Sequence, residues 1–157
     1  FDYFTKEKGL YNLLWVYCPS ATIGNNLIKP PQYYYPGDEY VDILGLDYYW
    51  DDFNSLNKGG DYDALVALGK PVGLTEVGAN CSGGFDNLMV LGAINTKYPN
   101  IVFAMYWDGW STLHGLYNIK RAIIENLNAK EFMNSDLVIT LDKVKWGRLD
   151  ETEQESK

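Results

Sequence analysis

The stretch "GKPVGLTEVGAN", Gly69 to Asn80, decides how this chain is read. Val72 to Val77 is a short, largely apolar run with Gly69 and Pro71 before it and Gly78 and Asn80 after it. That is the pattern of a strand buried on both faces, as in a parallel sheet. Glu76 does not fit the pattern. A carboxylate buried without a partner is costly, so such a group is paired, protonated or placed where chemistry uses it. The residues alone leave a structural ion pair and a catalytic carboxylate equally open.

Three other segments have the same character: "LLWVY" (Leu13–Tyr17), "VDILGLDYY" (Val41–Tyr49) and "IVFAMYW" (Ile101–Trp107). With "KPVGLTEVG" (Lys70–Gly78) they recur at a nearly fixed interval. Cys18 to Asp47 and Asp47 to Glu76 are each 29 residues, and Glu76 to Trp107 is 31. Roughly 30 residues is the size of a strand plus a crossover helix. The connections agree. "DYDALVALGKP" offers Asp61 as a helix cap and Gly69 and Pro71 as a stop, and "FDNLMVLGAINTKYPN" reads as a second helix ending near Pro99. "YNIKRAIIENLNAKEFMN" reads as one helix or two. The proline-bearing segment from Pro19 to Tyr40 reads as loop with at most one short helix. Four βα units in a row fit either an open doubly wound sheet or part of a (βα)8 barrel. No glycine-rich phosphate loop follows any strand, which weakens the nucleotide-binding version. A complete barrel typically takes about 250 residues, so 157 provide about half.

Composition narrows the function. The net charge of -8 argues against nucleic acid and against anionic membrane surfaces. No apolar run has transmembrane length, and none reads as a signal peptide. The chain begins at Phe1 in what reads as mid-helix, as a processed protein or a piece of a longer one would. Residues 1–147 are expected to form the partial barrel domain, and 148–157 an acidic tail or linker with a net charge of -2. Thirteen tyrosines and five tryptophans lean the composition weakly towards sugar, whose rings stack on aromatic platforms. Cys18 and Cys81 fit no zinc motif, so no metal or cofactor is expected, and a free pair is the simplest reading.

In a barrel, alternate residues of each strand point inward and the active site lies at the strands' C-terminal ends. Taking Glu76 as inward makes Leu74 and Val72 inward too. Asp47 and Tyr49 go with Gly45 and Ile43, Trp107 with Met105 and Phe103, and Tyr17 with Trp15. The expected mouth holds Tyr17, Asp47, Tyr49, Glu76 and Trp107, with Asp108 pointing away. Carboxylates over an aromatic floor are the pattern of a glycosidase. Asp47 alone reads as structural, and His114 as a loop residue.

The runs "NLLWVYCPS", "YYPGDEYVDILGLDYY", "GKPVGLTEVG", "YPNIVFAMYWDGWS" and "NAKEFMNSDLVITLD" resemble glycoside hydrolase family 26, chiefly endo-β-1,4-mannanases, from about Phe1 to Asp142. The resemblance implies an α/β fold, the C-terminal half (strands five to eight) of a (βα)8 barrel. It implies a retaining mechanism with Glu76 as nucleophile. Tyr49 is implied to hydrogen-bond Glu76, Asp47 to shape the sugar site at the point of cleavage, and Trp107 to form its floor. The implied substrate is β-mannan or a related plant polysaccharide, which implies secretion. Enzymes for β-1,3-xylan and mixed-linkage β-glucan are similar too. The family's acid/base is a Glu directly after a His on strand four, whereas His114 is followed by Gly115. The acid/base half is therefore expected outside this chain. A complementary half barrel or a homodimer would close the sheet, and in a homodimer Asp108 of the second copy would face Glu76. A half barrel that binds glycan without turnover is the other reading.

Overall fold

The computed structural model describes residues 1–23, 25, 27–80, 84–111 and 118–144. Four strands form one parallel sheet: β1 (Val16–Tyr17), β2 (Ile43–Tyr48), β3 (Val72–Val77) and β4 (Ile101–Tyr106). Their spatial order is β1-β2-β3-β4, the order of the sequence. Parallel neighbours need a crossover between them. An order that never reverses has no switch point of the doubly wound kind, which favours the barrel arrangement. Trp110–Ser111 (β5) and Asn118–Ile119 (β6) make a separate antiparallel pair.

The strands sit inside the expected segments, but β1 is much shorter. At Trp15 the carbonyl still accepts from Asp42 N and Ile43 N at 2.8 and 3.1 Å, but the N–H turns to a side chain, donating to Asp42 Oδ2 at 2.8 Å. The residues ahead of it, Leu13 and Leu14, are exposed at the sheet's edge.

One face of the sheet is covered. Leu44, Leu46 and Tyr48 of β2 and Val72, Leu74 and Val77 of β3 are almost fully buried, in one cluster with Leu65 of helix α1 (Asp61–Val66), Val90 of helix α2 (Asn87–Thr96), Phe53 and Phe85. The other face carries Gly45, Asp47, Thr75, Phe103 and Met105. A methyl group built on Gly45 would overlap the Thr75 side chain, and one on Gly73 would overlap the Phe103 ring, so these residues project to one side.

Here strict alternation fails. Gly45 pairs with Gly73 and Asp47 pairs with Glu76, two steps along β2 against three along β3. This β-bulge puts two consecutive side chains, Thr75 and Glu76, on the same face. Val72 and Leu74 therefore point to the helix layer, not inward with Glu76 as alternation predicted.

The helices also differ in detail. Gly60, at φ 78°, precedes α1, and Asp61 is the helix's first residue rather than its cap. The Asp61 carboxylate is fully buried and accepts from Thr22 N at 2.7 Å and from Thr22 Oγ1 at 2.9 and 3.0 Å. It thereby ties the loop after β1 to α1. Asp86 caps α2 by accepting from Leu88 N at 2.9 Å. From Asn118 onward the segment holds β6, a 3-10 turn at Ile123–Glu125 and helix α3 (Ala129–Asn134). Two asparagines interrupt it. The Asn126 side chain takes the carbonyls of Arg121 and Ala122, and Asn128 adopts a left-handed backbone. The proline-bearing segment forms two 3-10 turns, Pro31–Tyr34 and Asp38–Tyr40. Residues 148–157, expected as a tail, lie outside the described residues. Among the described residues no helix is long and apolar enough to cross a membrane.

Candidate active site

The C-terminal ends of β2 and β3 bring three of the expected residues together. Asp47 and Glu76 are direct partners on adjacent strands. The Tyr49 hydroxyl donates to Glu76 Oε2 at 2.7 Å. Thr75 Oγ1 donates to Asp47 Oδ1 at 2.8 Å. The Asp47 backbone is held as well: its N–H donates to Pro19 O, and its carbonyl accepts from Ala21 N, both at 3.0 Å. The loop after β1 thus continues the ladder where the site lies and brings Cys18 beside it.

The charges shape each other. Burial raises the pKa of Asp47 from its ordinary value and the Glu76 charge adds to the rise, while the Thr75 hydrogen bond opposes it. Burial also raises Tyr49, helped by its bond to Glu76 and by that charge, with Arg121 opposing. Tyr49 is therefore a neutral O–H donor. Cys18 is a free cysteine and exposed as a residue, but partial desolvation of its thiol beside the carboxyl pair pushes its pKa up, a bond with Thr75 opposing and the charges of Asp47 and Glu76 adding. Chemically, the cluster is an oriented carboxylate beside a second carboxyl group on an open sheet face.

Not every expected residue joins it. Tyr17 pairs in register with Leu44 and so lies on the helix side. Its hydroxyl donates to Pro31 O at 2.7 Å, and its ring packs on Tyr35 at 5.6 Å. This corrects the sequence reading, which counted alternation along a five-residue strand where only two residues pair. Trp107 follows β4, donates its N–H to Val77 O at 2.9 Å and leaves its side chain 46% exposed. Asp108 accepts from Gly109 N within its own turn. His114 and Cys81 lie outside the described residues.

Sequence reasoning missed two neighbours. Thr75 was hidden by the bulge. Arg121 stacks its guanidinium over the Tyr49 ring at 4.2 Å and donates from Nε to Ala79 O at 2.8 Å. Nothing in "NIKRAII" signals that contact. A cavity of about 530 Å³ lies elsewhere, between β4, α2, α3 and the Leu137–Leu141 segment. Its apolar lining includes none of the site residues. Among the described residues no group of three or more His, Cys, Asp or Glu side chains is arranged to hold a metal ion.

The family model for glycosyl hydrolase family 26 matches residues 1–143. The chain belongs to that family. A mannan endo-1,4-β-mannosidase of Bacillus subtilis (strain 168) is 43% identical over 113 residues, spanning 71% of this chain and 29% of its own length. Mannan endo-1,4-β-mannosidase A and B of Caldalkalibacillus mannanilyticus is 33% identical over 151 residues, 94% of this chain and 26% of that protein. A solved Bacillus subtilis mannanase superposes with a TM-score of 0.68 at 34% identity, covering 85% of this chain and 34% of that one. The chain thus spans about a third or less of each of these three relatives. Within family 26 its parallel sheet is a partial barrel, and the Glu76 cluster stands at the C-terminal ends of the strands, where barrel enzymes carry their chemistry.

Proposed function

We propose that this chain carries the nucleophile side of a retaining β-mannanase site. The observation behind the reading is the 2.7 Å hydrogen bond from Tyr49 to Glu76 at the end of β3, in a family 26 chain. With Oε2 tied to Tyr49, Glu76 offers Oε1 to the anomeric carbon. The new C–O bond forms as the glycosidic C–O bond breaks. The leaving oxygen takes its proton from an acid supplied by a strand beyond this chain. Water then attacks the glycosyl ester, gives its proton to the same group now acting as base, and releases the sugar with its β configuration. Asp47, held by Thr75, faces the sugar as a positioning carboxyl, and the half-exposed Trp107 forms a stacking floor. A polysaccharide substrate puts the enzyme outside the cell.

An activated substrate tests the nucleophile apart from the acid, because dinitrophenolate leaves without protonation. Dinitrophenyl β-mannobioside should release its phenol and leave a covalent glycosyl adduct on Glu76, visible by mass spectrometry with a slow fluorosugar analogue. Glu76→Ala should abolish both. Soluble galactomannan should be cleaved only when the acid-bearing half is present. An adduct on another carboxylate, or release that survives Glu76→Ala, refutes the assignment. Preference for β-1,3-xylan or mixed-linkage β-glucan over galactomannan moves the substrate but keeps the nucleophile.

A further inference from the structure

We infer that Arg121 is a positioning residue for Glu76, acting through Tyr49; the inference rests on the nucleophile reading above. Three contacts hold the Arg121 side chain, two of them through the guanidinium. It covers the Tyr49 ring at 4.2 Å. Its Nε donates to Ala79 O at 2.8 Å, three residues past Glu76. Its stem lies against Gly78, where an added Cβ would stand 3.0 Å from the Arg121 Cδ. Arg121 therefore links the end of β3, which carries Glu76, to the phenol that grips Glu76, which follows β2.

The segment that presents Arg121 is itself anchored. Asn126 Nδ2 donates to the Arg121 and Ala122 carbonyls at 3.1 and 3.0 Å. Asn87, fully buried at the start of α2, donates to Ile123 O and Leu127 O at 3.0 and 2.9 Å. A cation fixed over a phenol ring draws electron density from it, which makes the O–H a stronger donor to Glu76. In the same sense, the Arg121 charge opposes the rise in the Tyr49 pKa that burial and Glu76 cause.

The test is a double-mutant cycle of Arg121→Leu with Tyr49→Phe in the enzyme that carries this chain, read as phenol release from dinitrophenyl β-mannobioside. Alone, Arg121→Leu should lower kcat roughly 3- to 30-fold, the span of a cation–π contact, with KM little changed. In the Tyr49→Phe background the same substitution should cost less than about 2-fold, because the hydroxyl it acts through is gone. Arg121→Lys keeps the charge and the stem along Gly78 but loses the planar stack and the Nε bond. It should fall between wild type and Arg121→Leu, and its own cycle carries the test if the leucine variant does not fold. Equal losses in both backgrounds, or no loss in either, overturn the inference while the Glu76 adduct stands. No adduct on Glu76 in wild type overturns the nucleophile reading and this inference together.

Discussion

Gly45→Ala probes the bulge that brings Thr75 and Glu76 to one face. Gly45 lies inside β2, hydrogen-bonded to strands on both sides. A methyl group there would stand 2.8 Å from Thr75 Cβ and nearer still to Oγ1 and Cγ2. Carbon atoms pack best at about 3.5–4.0 Å, so one of the two side chains has to move. Thr75 has little freedom, being β-branched, buried and tied to Asp47 at 2.8 Å. Overpacking of this kind costs about 1–3 kcal/mol. The smaller unfolded-state entropy of alanine returns about 0.4–1 kcal/mol. A net loss of about 1–2 kcal/mol is expected. Gly73→Ala supplies the contrast. Its methyl would overlap the Phe103 ring, but that ring stands at the open face, 36% exposed, and has room to swing. Its cost should stay below about 1 kcal/mol by the same overpacking scale. Urea unfolding followed by tryptophan fluorescence measures both, as shifts in midpoint at constant slope. A Gly45→Ala variant as stable as wild type, or less perturbed than Gly73→Ala, would refute the bulge that puts Thr75 on the face of Glu76.

Two further substitutions test the electrostatics around the site. Burial and the Glu76 charge raise the Asp47 pKa in the folded state, so the folded protein holds that proton more tightly than the unfolded chain. Stability is then lost as pH rises from the unfolded pKa through the higher folded one. Asp47→Asn removes this loss, so its stability relative to wild type should rise with pH across that window. The group is only half-buried and screened, so the gain should stay within the roughly 0–1 kcal/mol of solvent-screened charge pairs. A difference independent of pH in matched unfolding curves would show that the folded state does not raise the Asp47 pKa. Asp61→Ala strips two buried donors, Thr22 N and Thr22 Oγ1, of their shared acceptor. It should destabilise by about 2–4 kcal/mol, and a loss under about 0.5 kcal/mol would mean that the loop after β1 is not anchored there.

What the sequence revealed, and what it hid, divides by the range of the interaction. The interval of about 29 residues was legible because a parallel strand and its crossover have a fixed length. Glu76 was legible because a carboxylate in an apolar run breaks a local rule. Asp47 and Tyr49 joined it through the same interval, one strand earlier. The failures share a cause: each depends on a partner distant in sequence. Whether Tyr17 faces the mouth or the helices is set by its pairing with Leu44, not by counting back from Trp15. Val72 and Leu74 go to the helix side because β3 spends three residues where β2 spends two. Asp61 fits a cap on local grounds, yet its partner is Thr22, 39 residues away. Arg121 reaches Tyr49 from a segment that reads as one helix or two, but that Asn126 and Asn128 turn into short separate elements. So the proposed nucleophile is written locally, as an exception to its surroundings. The groups that orient it are written in register shifts and turns, and that is where substitutions would change rate while leaving every expected catalytic residue in place.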